Sequence, residues 1–159
     1  ASVRRGSGGT PPRLDNPYRF VTQVNERLSG LADELPWPDN AWMGGSIGNR
    51  RFVHRADHLR CVPAAVRFIS AEPLLGPLDD LDLNGIDWLI AGGESGAQHR
   101  PVREEWLTDL RDESIAAEVA FFFKQWGGRQ PTSGGRLLQG REWSQMPVPQ
   151  PREDNVALA

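Results

Sequence analysis

Residues Ile86 to Gly96 read I-D-W-L-I-A-G-G-E-S-G, an apolar run that passes directly into two glycines, a carboxylate, a serine and a third glycine. A short apolar run closed by glycine is the pattern of a buried strand handing over to a tight polar turn. The same grammar recurs twice. Ala65 to Gly76 reads A-V-R-F-I-S-A-E-P-L-L-G and Val119 to Gly128 reads V-A-F-F-F-K-Q-W-G-G, so each run ends on an ionisable residue, Glu72 or Lys124, with glycine close behind. Strands this apolar need cover on both faces, which is the condition of a parallel sheet with crossover helices. In such sheets ligands meet the loops at the carboxyl ends of the strands, because the strand interiors are packed. Three strands that deliver polar groups at one end constrain the fold and the site together.

The segments between these runs supply the crossovers. Tyr18 to Gln23 predicts a short strand, and Asn25 predicts an N-cap for a helix through Leu28, Leu31 and Leu35, ended by Pro36 and Pro38. Asn40 to Asn49 predicts a second strand, weakened by Gly44 and Gly45. Arg50 to Arg60 predicts a helix with Phe52, Val53, Ala56 and Leu59 along one stripe. After the strand at Val66 to Ser70, the leucine-rich Pro73 to Leu83 predicts a connection packed over the sheet, with room for one short helix. The organising strand is expected over Asp87 to Ala91. Pro101 suits the first turn of a long helix to Glu118, with Val102, Trp106, Leu107, Leu110, Ile115 and Ala117 as its apolar positions and Glu104 and Glu105 at the favourable end of its dipole. Val119 to Phe123 completes a β-α-β-α-β-(α)-β-α-β order, which implies an α/β fold of about five mostly parallel strands.

The hydrophobic fraction of 38% is low for a packed domain, and 13 prolines and 17 glycines account for much of the shortfall. Residues 1–17 accordingly read as a flexible leader, 18–147 as one domain, and 148–159 as a disordered tail. A net charge of −3 draws the chain neither to anionic membrane nor to nucleic acid, although a local nucleic-acid contact stays open. No apolar run approaches the ~20 residues of a bilayer span, so the expected location is cytoplasmic. Cys61 is the one cysteine, which excludes an internal disulfide and any multi-cysteine metal or iron–sulfur site built from this chain alone. His54 and His58 lie four apart, but the nearby Arg55 and Arg60 disfavour a cation, so no metal ligands are assigned.

The strand ends allow several chemistries. Gly92, Gly93 and Ser95 around Glu94 either form an anion-binding nest of backbone N–H groups or simply make a tight strand exit; they match neither G-x-G-x-x-G nor a P-loop. Glu72 and Glu94 could face one cavity as an acid–base pair, or act as acceptors that hold loops. Lys124, following three phenylalanines, is either a desolvated amine nucleophile or an ion-pair partner for Glu72 or Glu94. Gln125 and Trp126 either bind a planar ligand or, in the case of Trp126, plug the end of the sheet.

Four motifs together carry a resemblance: Leu35-Pro36-Trp37-Pro38, Phe68 to Gly76, Ala91 to Gly96, and Phe122-Phe123-Lys124-Gln125-Trp126-Gly127. From Tyr18 to Pro147 the chain resembles the carboxyl-terminal part of the phage-associated, radical-SAM-like proteins. The resemblance implies a partial TIM-like, radical-SAM-like barrel. It also implies S-adenosylmethionine and a 4Fe-4S cluster as family cofactors, the cluster being held by a three-cysteine motif in an amino-terminal half that has no counterpart here. The expectation is therefore a truncated family member, not catalytic by itself, with no cofactor of its own. Its alternatives are a module binding a nucleotide, S-adenosylmethionine or a nucleic-acid end, and a cluster-independent enzyme using Glu72, Glu94 and Lys124. About five strands cannot close an eight-stranded barrel, so a second copy, a partner chain or a terminal segment is expected to cover the open sheet edge. In that family a glycine usually stands where this chain has Glu118.

Overall fold

The computed structural model describes residues 18–22, 30, 32, 34, 37–38, 40–130 and 132–149. The expected leader, most of the helix after Asn25 and the end of the tail lie outside the described residues. Five strands, β1 (Tyr18–Thr22), β2 (Ala41–Ser46), β3 (Val66–Ala71), β4 (Trp88–Gly92) and β5 (Ala120–Gln125), form one sheet. They are all parallel and lie side by side in sequence order. The fold is thus α/β with a parallel sheet, and no closed barrel is present among the described residues.

Alternation along the strands builds two unlike faces. Met43, Ile69, Ala71, Leu89, Ala91, Phe121 and Phe123 join the main core, where helices α1 (Arg55–Arg60) and α2 (Glu104–Ala116) contribute Ala56, Leu59, Leu107 and Leu110. Both helices therefore cover the same face. Burying Phe121 and Phe123 completely contributes about 2–3 kcal/mol each. The other face carries a smaller cluster of Trp42, Val66, Phe68 and Trp88, with Trp88 in edge contact with Trp42 and Phe122. Gly44 belongs to this packing, because a Cβ there would lie 2.3 Å from the Phe68 ring. The missing side chain that weakens β2 on paper is the space that Phe68 occupies.

Three local expectations change. The Arg50–Arg60 helix divides into a 3-10 turn (Arg50–Phe52), capped by the Asn49 side chain on the Arg51 N–H, and α1. Pro73 to Leu83 contains no helix; Leu74, Leu78, Leu81 and Leu83 are buried from an irregular loop, so this β3–β4 crossover packs through side chains without helical hydrogen bonds. In α2, which begins at Glu104 and leaves Pro101 in the preceding loop, the buried position after Leu107 and Leu110 is Ser114, and Ile115 is 51% exposed. Ser114 is accommodated because its hydroxyl donates to the Leu110 carbonyl oxygen at 2.7 Å.

After β5 the chain forms a hairpin of β6 (Leu137–Leu138) and β7 (Arg141–Glu142) around Gln139 and Gly140, both at positive φ as a two-residue hairpin turn requires. It then runs antiparallel along β5: the Phe123 N–H donates to the Trp143 carbonyl, the Gln145 N–H to the Phe121 carbonyl, and the Phe121 N–H to Gln145 Oε1. A terminal segment of the chain itself thus covers the β5 edge.

Candidate functional site

The carboxyl ends of β3, β4 and β5 gather the singled-out residues, but pair them in a particular way. Lys124 Nζ lies 2.9 Å from Glu72 Oε1 and 3.0 Å from Oε2. This pair spans a strand, since Glu72 follows β3 while Lys124 is on β5, and Glu72 crosses over Gly92 of β4, whose hypothetical Cβ would sit 3.6 Å from Glu72 Cγ. A register shift makes the meeting possible: Ala91 pairs with Phe123 but Gly92 pairs with Gln125, so Lys124 is an extra residue in β5. Such a bulge re-aims side chains at the rim of a sheet. Lys124 is half exposed and ion-paired, which removes the desolvated environment that a nucleophilic amine needs.

Glu94 has a different partner. Arg100 donates to it through Nε at 2.8 Å, Nη2 at 2.7 Å and its backbone N–H at 2.8 Å. The Arg100 side-chain hydrogen bonds, and after them its backbone N–H, hold the Glu94 carboxyl at about 2, well below its ordinary value. A carboxylate held ionised in this way has no proton to give near neutrality, and each of the two glutamates has its own cation, Glu94 with Arg100 and Glu72 with Lys124. Arg100, six residues beyond Glu94 in a loop, is a site residue that sequence pattern does not signal.

The glycine turn is a strand exit rather than an anion nest. The Gly93 N–H donates to the Gln125 carbonyl and the Gly96 N–H to the Gly128 carbonyl, each at 2.9 Å, while the Gly128 N–H returns to the Glu94 carbonyl. These donors serve the ladder between two chain segments. The approach is so close that a Cβ on Gly93 would lie 1.9 Å from the Trp126 carbonyl oxygen, and one on Gly127, at φ +77, would lie 2.1 Å from that of Glu94. Gln125 Nε2 donates to Ser95 Oγ at 2.9 Å, joining the two exits by side chains as well. Trp126 packs edge-on against Phe123 with 5.2 Å between ring centroids, and its indole N–H donates to the Leu137 carbonyl. It plugs the core end of the sheet.

Strand alternation puts Ser46, Ser70, Glu72 and Lys124 on the face that carries Trp42, Phe68, Trp88 and Phe122 nearer the amino ends. That face is aromatic at one end and hydroxyl-bearing and charged at the other. Among the described residues, no cluster of three or more His, Cys, Asp and Glu side chains is placed to hold a metal ion, and no helix is long and apolar enough to cross a membrane. Cys61 caps α1 and is exposed, at the opposite end of the sheet from Lys124.

A sequentially ordered parallel sheet, with α1 and α2 on one face and paired polar groups at the strand carboxyl ends, defines an α/β protein. The chain belongs to the family described as protein of unknown function (DUF5131), whose model matches residues 13–147. No curated protein and no solved structure matches the chain.

Proposed function

We propose that this chain is part of a radical-SAM-like, TIM-like barrel and binds a small ligand at its strand carboxyl ends without itself carrying out radical chemistry. The winding supports the barrel reading: strand order follows sequence order without reversal and α1 and α2 share one face, whereas a doubly wound sheet reverses its order and is covered on both faces. With the β5 edge covered by residues 143–145, the β1 edge is where a second copy or a partner strand would add. The iron–sulfur cluster does not fit the described residues, since Cys61 is the sole thiol of the chain and lies at the wrong end, so no step is assigned through it.

The ligand in this reading is S-adenosylmethionine. Glu72 and Lys124 complement the ammonium and carboxylate of its amino-acid end, and the Ser95–Gln125 pair offers donors and acceptors to its ribose hydroxyls. Glu94, kept ionised by Arg100, orients the β4 exit and carries no proton in this reading. The observation that carries the proposal is the β5 bulge that brings Lys124 to Glu72 across Gly92. Calorimetric titration with S-adenosylmethionine, with iron and sulfide assayed after anaerobic reconstitution, tests it. The expected result is binding without iron, weakened about tenfold in Lys124→Met. An affinity unchanged in Lys124→Met, or no heat at millimolar ligand, would contradict it.

A further inference from the structure

A cavity of about 710 Å³ opens at the amino-terminal end of the sheet, away from the Glu72–Lys124 pair. Its volume is that of a small-molecule site. Its wall includes Asp87, Ile115, Glu118, Gln145, Met146 and Val148, and among the described residues no lysine, arginine or histidine lines it. Of the four large hydrophobic residues exposed among the described residues, three, namely Ile115, Met146 and Val148, border this one opening. Apolar surface gathered around a cavity marks a contact site better than the same residues scattered singly.

The two ionisable side chains among the described lining residues, Asp87 and Glu118, are both acidic. Glu118 has φ +57, a left-handed conformation that non-glycine residues rarely adopt, directly after α2. Its carboxylate makes no hydrogen bond or ion pair among the described residues. α2 ends here with no basic residue in its last turn, so the negative end of the helix dipole has no side-chain cation to offset it. Asp87 adds a second carboxylate, fixed in place by the Arg67 backbone N–H at 2.7 Å.

We infer that this cavity is a binding site for a small amphipathic monocation, a primary ammonium on an apolar body, with Glu118 meeting the charge and Ile115, Met146 and Val148 meeting the body. The inference is independent of the proposed strand-end ligand site.

The chain contains two methionines, which gives the test its own control: Met146 is at the rim and Met43 is buried in the main core. Full-length protein carrying 13C-methyl methionine is titrated with 2-phenylethylammonium, with its neutral isostere 2-phenylethanol and with the anion phenylacetate. The site predicts a saturable shift of the Met146 methyl with the ammonium, a several-fold weaker one with the alcohol, and no change at Met43. Glu118→Gln should weaken the ammonium about tenfold and leave the alcohol unaffected. Glu118→Gly removes the same charge at a backbone position glycine tolerates, so it should bind as weakly as Glu118→Gln while melting higher than the parent protein. Equal affinities for ammonium and alcohol, equal shifts at both methionines, or full ammonium affinity in Glu118→Gly would each overturn the assignment.

Discussion

The two ends of the same sheet solve opposite problems. At the carboxyl end every singled-out charge has a partner, Glu72 with Lys124 and Glu94 with Arg100, and the loops are joined by backbone hydrogen bonds from Gly93, Gly96 and Gly128. At the amino end the Glu118 carboxylate, on a left-handed residue, meets no hydrogen-bond or ion-pair partner among the described residues, and the apolar side chains of Ile115, Met146 and Val148 face outward around open space. The strand exits are thus tied together backbone to backbone, whereas the cavity of about 710 Å³ lies where the strands begin. Neither end can be understood from polarity alone, since exposed ion pairs contribute little stability and an acidic rim is costly only when nothing compensates it.

The largest test of that contrast is at the glycine crossing. Gly127→Ala must adopt a positive φ and place a Cβ against the Glu94 carbonyl, so it should destabilise by about 3 kcal/mol in urea unfolding. A loss below about 1 kcal/mol would mean that the strand exits are not packed backbone to backbone. At the other end, Glu118→Gly should stabilise by about 1 kcal/mol by relieving the left-handed conformation, as thermal melting would register. A destabilised variant would assign Glu118 a packing role instead.

Lys124→Met should change stability by less than about 1 kcal/mol, because the pair it breaks is half exposed, while ligand binding suffers. A large stability loss would turn the pair from a ligand site into a fold element. The smallest effect is that of acid on Glu94. Its folded-state pKa is depressed, so its pairing with Arg100 contributes fully above the ordinary value of 4.5 and fades as pH falls towards about 2. The difference in urea midpoint between the parent protein and Glu94→Gln should therefore shrink over that window. A difference independent of pH would separate Glu94 from Arg100.

Much of the framework is legible in the residue order. The five strands fall within a few residues of their apolar runs, and the three strand-end polar residues do emerge at one end, because period and glycine punctuation report local structure directly. What escapes is whatever depends on two segments at once. The bulge that makes Lys124 an extra residue exists only in the register of β5 against β4. Arg100 reaches Glu94 from a loop with no periodicity. Ser114 takes a buried place that a hydrophobic count gives to Ile115, since a serine hydroxyl bonded to the preceding turn costs the core little. The glycines of the β4 exit look equally suited to an anion nest until their N–H groups are seen bonded to the carbonyls of Gln125 and Gly128.

The most direct measurement is a 15N amide shift map of the full chain titrated with S-adenosylmethionine, which reads both ends of the sheet in one experiment. Saturable shifts are expected at Glu72, Ser95 and Gln125, lost in Lys124→Met, with Glu118 and Met146 unmoved. Shifts concentrated at Glu118 and Met146, or none at either end, would contradict the proposed strand-end ligand site.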